Sequence, residues 1–368
     1  RSVSVAHSCP LRFSFEFSVF VMIVALIGFF LSLFILQNWV DVLSLVFCDE
    51  QSILKELEYN RPKKRILNQR DEEDWKELKS LIPKGYDLIG TEKRQLEFYR
   101  IFGNPFQYHT SPVLEYQFVP FGMPYSVLQS PVIKTDGRIR IFTIMLSSAC
   151  QAEMRQHVRN NTRDYLHRFR VYTIFVLGSN PACDELVSQE SSRYGDILQF
   201  DHVDSYNNIT LSVLYAFQYL QAGRYPIDYV FKTDSDCVIN YPMLLSIVSQ
   251  YDYRSDVYLG NCHINEPYYT YNSLRKNYIP KVIVGNSTIP YYNSGGGYLI
   301  SYRLLPEVLA AIRYVPFLTH HEDVNIGKAM YLLKVGCIDY TKRWISRNGC
   351  NSKSQCLSKV IMHPEKSD

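Results

Sequence analysis

Hydrophobic and polar positions switch repeatedly between a strand pattern and a helix pattern over the central part of the chain. Short apolar runs typical of buried strands are followed by longer stretches in which polar positions recur with a helical period. Strands alternating with helices favour a largely parallel sheet covered on both faces, which is the α/β class. The pattern predicts strands at Ile139–Leu146, Val171–Leu177, Asp196–Phe200 and Ile227–Phe231, and helices at Cys150–Arg168, Asp184–Tyr194 and Ile209–Ala222.

The N-terminal part of the chain has a different pattern. Phe17–Leu36 is an apolar run without a charged residue, and a helix needs about 20 such residues to cross a bilayer. The apolar region of a cleaved signal peptide would be shorter, roughly 7–15 residues. Arginines before the run and acidic residues after it favour a cytoplasmic N-terminus. We therefore expect a cytoplasmic tail (1–16), a transmembrane signal-anchor (17–36), a lumenal stem (37–137) and a main domain (138–368).

An extra N-terminal subdomain remains the alternative to a stem. The stretch is charged at first, with Asp71–Lys79 favouring a short surface helix, and then rich in proline and aromatic residues. Its end is expected to pack on the main domain.

Charge and cysteine content narrow the class of protein further. A formal net charge of +3 on 368 residues, with the basic residues scattered, gives no electrostatic footprint for a nucleic acid. Seven of the nine cysteines lie at position 150 or later, and none has CxxC spacing, so some disulfides in an oxidising compartment are expected. Their connectivity stays open, and at least one thiol is left free or paired elsewhere. Sequons at Asn160, Asn208 and Asn286 are compatible with lumenal glycosylation.

Two carboxylates, Asp234 and Asp236, follow directly on the apolar run that ends at Phe231. A buried strand ending there delivers both to the C-terminal edge of the sheet, where open α/β folds bind ligands. Two hard oxygen ligands at that edge can hold Mg²⁺ or Mn²⁺ against a substrate diphosphate. The same tripeptide is also an ordinary turn or helix N-cap sequence, so the surrounding segments decide between these interpretations.

Two further segments have residue types that suit a nucleotide ligand. Arg155 and Arg159 come after the first strand, where arginines can grip a diphosphate or simply form a solvated helix face. Gly295, Gly296 and Gly297 precede an apolar strand, where glycines allow close backbone approach and supply amide donors, or form a flexible loop.

Two more segments are acidic. Glu322 and Asp323 open a predicted helix, where paired carboxylates serve as a catalytic base or as ordinary helix capping. The segment 194–210 favours a strand, a turn and a capped helix, so we interpret it as structural.

Taken together, "FKTDSDCVIN", "YGDILQFDHVDSYNNITL", "YYNSGGGYLIS" and "HHEDVNIG" resemble the β1,3-galactosyltransferase family, which includes β1,3-N-acetylglucosaminyltransferases and, more distantly, Fringe-like enzymes. The resemblance runs from about Ile139 to His363. It implies a GT-A fold, with a Rossmann-like nucleotide-sugar half and an acceptor half, on a type II Golgi membrane anchor. The implied activity is inverting β1,3 transfer of galactose or an N-acetylhexosamine from a UDP-sugar, usually with Mn²⁺, to a glycan hydroxyl on a glycoprotein or glycolipid.

The resemblance also implies roles for particular residues. Asp323, with Glu322 beside it, matches the general base, and Asp236 matches a metal ligand, with His363 as a further one. Asp234 is expected to contact the ribose or orient the site. The residues expected on the nucleotide-sugar side are Arg155, Arg159, Gly295, Gly296 and Gly297.

Two departures from the family pattern motivate a different function. Ser235 replaces the usual middle aspartate, and Asn161-Thr162 stands where a tryptophan is usual. The alternative is therefore a catalytically inactive relative that binds glycans or acts like a chaperone in the lumen. A phosphohydrolase using Asp234 and Asp236 fits the other motifs poorly. Motifs common to all branches of the family leave the donor sugar open.

Overall fold

The computed structural model describes residues 69–81, 92–102, 125–134, 137–270, 278–279, 288–315, 320–346 and 358–362. The predicted membrane span 17–36, the sequon at Asn286 and the predicted metal ligand His363 lie outside these residues. Within them, no helix has both the length and the apolar composition that a bilayer span requires.

Nine α-helices occur in the described part of the chain. They are α1 (Gln69–Ser80), α2 (Glu92–Phe102), α3 (Ala152–Arg168), α4 (Asp184–Tyr194), α5 (Ile209–Gly223), α6 (Tyr241–Val248), α7 (Leu305–Ala311), α8 (Glu322–Leu332) and α9 (Thr341–Trp344). Short 3₁₀ turns occur at Tyr206–Asn208, Tyr302–Leu304 and Ile312–Tyr314.

The strands of the same residues form two sheets. They are β1 (Val127–Gln129), β2 (Ile139–Leu146), β3 (Val171–Ser179), β4 (Ile197–Val203), β5 (Ile227–Asp234), β6 (Val238–Ile239), β7 (Tyr258–Pro267), β8 (Thr288–Ser301), β9 (Ile338–Asp339), β10 (Ile345–Ser346) and β11 (Ile361–Met362). The predicted strands and helices between residues 139 and 234 are all present, with ends within a few residues of those expected.

The main sheet is mixed, with the strand order β1-β4-β3-β2-β5-β8-β7-β9. Its central strands β4, β3, β2 and β5 are parallel, as the alternation of strands and helices predicts. The expectation of a largely parallel sheet is confirmed for these strands but not for β8, which runs antiparallel to both β5 and β7, while the edge strand β9 pairs parallel with β7. Antiparallel neighbours need no crossover helix, so the strand–helix alternation that revealed the parallel strands is missing here.

Apolar side chains cover both faces of the main sheet. Successive residues of β5 point to opposite faces, so Val230 belongs to one core cluster and Tyr229 and Phe231 to another. The first cluster also takes up side chains of α5, α7 and α8, and the second takes up α6 and Trp344. The sheet therefore lies between two largely apolar layers.

The smaller sheet has the strand order β10-β11-β6. Its β6 follows Asp236 by two residues, and β11 pairs with it antiparallel, Met362 opposite Val238. The indole nitrogen of Trp344, in α9, donates to the carbonyl oxygen of Gly297 at 2.6 Å. Through these contacts, the described C-terminal part of the chain packs against the segment that follows β5.

The expectation of some disulfides is confirmed. Cys150 is bonded to Cys183 and Cys262 to Cys337, while Cys237 is a buried free thiol. The first bond joins the connections that follow β2 and β3, and the second joins β7 to the segment after α8.

Parts of the predicted stem pack on the main body. The edge strand β1 pairs antiparallel with β4. On α2, Arg94 donates to Glu307 of α7 at 2.7 Å, and the rings of Phe98 and Tyr314 lie 5.3 Å apart. The segment 37–137 thus contributes a strand and a helix to the domain that follows it.

Gly327 allows α8 to lie directly on β8, and its replacement should destabilise the fold. A Cβ at this position would overlap the carbonyl oxygen of Tyr291 and the Cβ of Tyr292. We expect Gly327→Ala to lower the free energy of unfolding by about 1–3 kcal/mol, because overpacking outweighs the gain in helix propensity. Gly336→Ala is the matched control, since nothing lies within 4 Å of a Cβ there. Chemical denaturation of both variants checks this, and equal midpoints would contradict it.

Candidate active site

Asp234 and Asp236 lie where the strand pattern places them, at the C-terminal end of β5. Beyond the strand the backbone turns, and the amide of Cys237 donates to the carbonyl oxygen of Asp234 at 3.1 Å. The amide of Ser235 donates to the carbonyl oxygen of Leu146 at the end of β2, at 2.8 Å. Both carboxylates are half-buried. The tripeptide is therefore held against the neighbouring strand while its acidic side chains keep access to solvent.

Glu322 and Asp323 open α8, as predicted, and face β8. The carboxylate of Glu322 is 4% exposed and accepts from the hydroxyl of Tyr298 at 2.8 Å. Asp323 keeps part of its surface accessible and accepts from the backbone amides of Gly295 and Val324, both at 2.8 Å. Two backbone donors thus orient Asp323, while Glu322 is enclosed.

Lys232, two residues before Asp234, connects these two acidic groups. Its ammonium nitrogen lies 2.9 Å from Asp234 Oδ1 and 2.7 Å from Glu322 Oε1, and it also donates to the carbonyl oxygen of Gly295. Lys232 itself is 1% exposed. Strand β5, strand β8 and the first turn of α8 therefore meet at one buried cation.

The cluster shifts the pKa values of its members. Burial raises the pKa of Glu322 to about 7, although the charge of Lys232 opposes the shift. Burial also raises the pKa of Asp323, against the effects of Lys232 and of its two amide donors. Burial alone would lower the pKa of Lys232, but the charges of Asp234 and Glu322 more than reverse this. Lys232 is thus cationic at neutral pH, and the carboxyls of α8 hold protons more tightly than free carboxyls do.

The three glycines form part of a strand, which corrects the expectation that they precede one. They lie within β8, with Gly297 opposite Thr233 of β5. Their carbonyl oxygens accept from Lys232, Thr233 and Trp344, and the amide of Gly295 donates to Asp323. A Cβ on Gly295 would lie 3.0 Å from carboxylate oxygens of both Glu322 and Asp323. The close approach that Gly295 allows is therefore between its own backbone and the carboxylates of α8.

Arg155 and Arg159 are both buried in ion pairs with protein carboxylates. Arg155 is 0% exposed and donates to both oxygens of Glu190, at 2.9 and 2.6 Å, and to the carbonyl oxygens of Ser148 and Ala149. Arg159 donates to Glu190 at 2.7 Å. It also makes two bonds of 2.8 Å to Asp196. These contacts favour a role in supporting the connection after β2, and a direct contact with a diphosphate stays a prediction.

The segment 194–210 has the structural role expected of it, with one addition. Asp204 accepts from the hydroxyl of Ser148 at 2.6 Å and the amide of Ala149 at 2.7 Å, so it holds the connection after β2 in place. Tyr206, in the following turn, is 46% exposed, and its ring centroid lies 6.0 Å from that of His320. Burial of part of its ring and the nearby charges of the acidic cluster raise the pKa of Tyr206. Tyr206 therefore lies near the segment that leads into α8.

The donor set partly fits a divalent cation. Within the described ranges, no group of three or more His, Cys, Asp or Glu side chains could hold a metal ion. Asp236 is half-buried and offers hard oxygen ligands of the kind Mn²⁺ accepts. Asp234 already accepts a hydrogen bond from Lys232, so it is better suited to a role beside the metal than to that of its main ligand. His363 comes directly after β11 but lies outside the described residues, so its role stays a prediction.

Sequence reasoning missed Lys232, Tyr206 and the contact of Tyr298 with Glu322. The signal for Lys232 was available, because a lysine inside an apolar strand is almost never fully buried without a charge partner. Tyr298 also lies in an apolar run, and its hydroxyl needs a buried acceptor. Tyr206 had no local signal, since its position depends on how the turn after β4 meets α8.

The molecule is thus an α/β protein with an acidic site at the carboxyl end of a central strand. A family model described as galactosyltransferase matches residues 151–341, a little over half of the chain, and this stretch contains β5, the glycines and the start of α8. The chain belongs to the galactosyltransferase family.

Two relatives illustrate the similarity. The chain is 28% identical over 216 residues to UDP-GlcNAc:betaGal beta-1,3-N-acetylglucosaminyltransferase 7 of Mus musculus, covering 55% of this chain and 53% of the relative. It is 30% identical over 173 residues to UDP-GalNAc:beta-1,3-N-acetylgalactosaminyltransferase 1 of Homo sapiens, covering 45% of this chain and 51% of the relative. The chain therefore spans about half the length of the curated relatives that it matches.

Solved structures with some similarity include two glycosyltransferases. The bifunctional glycosyltransferase WbbM is 11% identical, with a TM-score of 0.38 over 64% of this chain and 47% of that chain. The galactosyltransferase LgtC, in complex with donor and acceptor sugar analogs, is 14% identical, with a TM-score of 0.33 over 61% of this chain and 86% of that chain. Both TM-scores are below 0.5, so the fold is defined by the topology given above.

Replacing Arg155 separates a supporting role from a nucleotide contact. We expect Arg155→Met to lower the free energy of unfolding by about 3 kcal/mol, because Glu190 loses two charge-assisted hydrogen bonds in a buried site. Arg193→Met is the control. Arg193 is exposed on α4, where its guanidinium lies over the ring of Tyr194. That change should stay within about 0.5 kcal/mol. Unaltered stability of Arg155→Met combined with lost UDP binding would instead support a direct nucleotide contact.

Glu322 should make the stability depend on pH in a defined direction. Its pKa is about 7 in the folded protein against an ordinary value of 4.5, so between these values the folded state binds a proton that the unfolded chain has released. The contribution of Glu322 to the free energy of unfolding therefore falls as pH rises from about 4.5 to about 7. Glu322→Gln cannot titrate and should lose this part of the slope in denaturation curves. Glu153→Gln, exposed on α3, should keep it, and equal slopes for Glu322→Gln and wild type would contradict the assignment.

Proposed function

We propose that the chain is an inverting β1,3-glycosyltransferase with a GT-A arrangement of its α/β domain. It would transfer galactose or an N-acetylhexosamine from a UDP-sugar to a hydroxyl of a glycan on a glycoprotein or glycolipid. Mn²⁺ is the proposed metal. The observation that carries this proposal is the meeting of two acidic groups, Asp234 with Asp236 and Glu322 with Asp323, around Lys232 and Gly295.

The relatives support the reaction class and suggest donors. Their names specify β1,3 transfer from UDP-N-acetylglucosamine in one case and UDP-N-acetylgalactosamine in the other. The family description names galactose. All three UDP-sugars are therefore candidate donors for this chain.

The metal would be held on the nucleotide side of the site. Asp236 is the residue proposed to bind it, with His363 as a further ligand, while Asp234 contacts the nucleotide. A bound Mn²⁺ would neutralise negative charge that develops on the departing UDP. Asp204 and Arg155 hold the connection after β2 in place. This supports a preorganised nucleotide-binding site beside the metal.

Asp323 is the proposed general base. It would accept the proton of the acceptor hydroxyl as that oxygen attacks the anomeric carbon from the face opposite UDP. Each of its oxygens accepts one backbone amide and retains a further lone pair for that proton. Its raised pKa makes it a stronger base than an ordinary aspartate while it is ionised.

We also place the catalytic part in the Golgi lumen behind a type II anchor formed by residues 17–36. The two disulfides support an oxidising compartment. Asn160 is exposed while the adjacent Arg159 is buried, so a glycan at Asn160 would point away from the core.

The direct test is UDP release by the 368-residue chain, purified in detergent, from a panel of UDP-sugars with simple sugar acceptors. We expect release from one donor that needs Mn²⁺ and stops with a chelator. Asp236→Ala should abolish it and weaken Mn²⁺-dependent UDP binding. Asp323→Asn should lower the rate by about 10²- to 10⁴-fold, the usual range for a lost general base, with UDP binding retained.

Asp201→Asn, an exposed position on β4, is the matched control and should keep wild-type activity. Equal loss of UDP binding in Asp236→Ala and Asp323→Asn would contradict the division of roles. A wild-type chain that neither releases nor binds UDP would contradict the proposal and favour an inactive glycan-binding relative.

A further inference from the structure

Lys232 is the point at which the two acidic groups of the candidate site are connected. An ammonium group has three N–H donors, and those of Lys232 are directed at Asp234 on its own strand, Glu322 on α8 and the carbonyl oxygen of Gly295 on β8. None of these contacts is with solvent, since Lys232 is 1% exposed.

The electrostatic balance of the cluster explains why a cation is required there. Asp234, Glu322 and Asp323 would repel one another if all three were ionised without a counter-charge, and burial strengthens that repulsion. The titratable groups in the described residues that interact with Asp323 or lie beside it include Lys232 and Asp234 on β5, Glu322 on α8, Tyr258 on β7, Tyr292 and Tyr298 on β8, Tyr206, and the imidazoles of His320 and His321 just before α8. Lys232 is the member of this set that forms ion pairs with Asp234 and Glu322.

We propose that Lys232 is a positioning residue that couples the nucleotide-side carboxylate Asp234 to the base-side carboxylates of α8, holding them at fixed separation and keeping Asp323 ionised for catalysis. The inference rests on the proposed transfer reaction. Because Lys232 is 1% exposed and contacts Asp234 and Glu322, it would act through these carboxylates rather than by touching a substrate. Its charge lowers the pKa of Asp323, which burial raises.

The test is the pH profile of the transfer rate for Lys232→Met. Without the cation, Asp323 should hold its proton to higher pH, so the acid limb of the rate should move up by about one pH unit or more. We expect the rate at neutral pH to fall by at least about tenfold, with part of the loss recovered at higher pH. KM for the UDP-sugar should rise less than kcat falls, because Asp236 and the connection after β2 are intact and only the contact that holds Asp234 is lost.

Arg140→Met is the matched control for loss of a buried cation. Arg140 is 7% exposed and pairs with Asp228 at 2.9 Å, at the opposite end of β2 and β5 from the site. Its removal should lower stability but leave the acid limb of the pH profile where it is in the wild type. A shift of equal size in both variants would mean that general destabilisation moves the limb, and would overturn the proposal.

A second variant covers the case in which Lys232→Met does not fold. In Lys232→Met/Glu322→Gln both members of the pair are uncharged, so the double variant should be closer to wild type in thermal unfolding. It should still show the upward shift of the acid limb, because Asp323 has lost the same cation. A double variant with the wild-type limb and wild-type kcat would overturn the proposal.

The outcome also separates this inference from the proposed function. A wild-type chain that neither binds UDP nor releases it from any donor overturns both. An active wild type with an unshifted Lys232→Met profile overturns the coupling alone.

Discussion

The candidate site depends on one buried ammonium group. Lys232 comes from the central strand β5, and its partners come from β5, β8 and α8. A lysine can be enclosed in this way only if charges and acceptors compensate for the water it loses. The same contacts therefore stabilise the meeting of three elements and concentrate acidic side chains at one edge of the sheet.

Close backbone packing makes this arrangement possible. Gly327 allows α8 to rest on Tyr291 and Tyr292, and one turn earlier on the same helix Asp323 meets the amide of Gly295. Asp323 and Gly327 are four residues apart on α8, so they lie on the same face of the helix. Gly327 and its counterpart on β8, Gly295, therefore belong to a single contact surface between the helix and the strand. A side chain at Gly295 would press on the carboxylates of α8. Gly295 is therefore favoured by the neighbouring helix, whatever ligand the site takes, whereas a Cβ at Gly297 would overlap Ile361 of β11.

The parts that sequence reasoning predicts well depend on local pattern. The strands and helices between Ile139 and Asp234 follow from apolar periodicity, and the placement of Asp234 and Asp236 follows from the end of a strand. The parts it missed depend on long-range pairing. The reversed direction of β8 leaves no periodic trace, and Arg155 has the same local appearance whether it contacts a phosphate or Glu190. Lys232 lies between these cases, since its burial was foreseeable but its partner on α8 was not.

The geometry also distinguishes the two carboxylates that open α8. Glu322 is 4% exposed, and its two oxygens accept from Lys232 and from Tyr298, so an acceptor hydroxyl has no approach to it. Asp323 keeps part of its surface accessible, and its partners are backbone amides that orient it without covering it. Raised pKa values in both residues alone would not decide between them. The difference in solvent access decides between them. Glu322 is the internal acceptor that holds Lys232 in place, whereas Asp323 is the carboxylate that a substrate could reach.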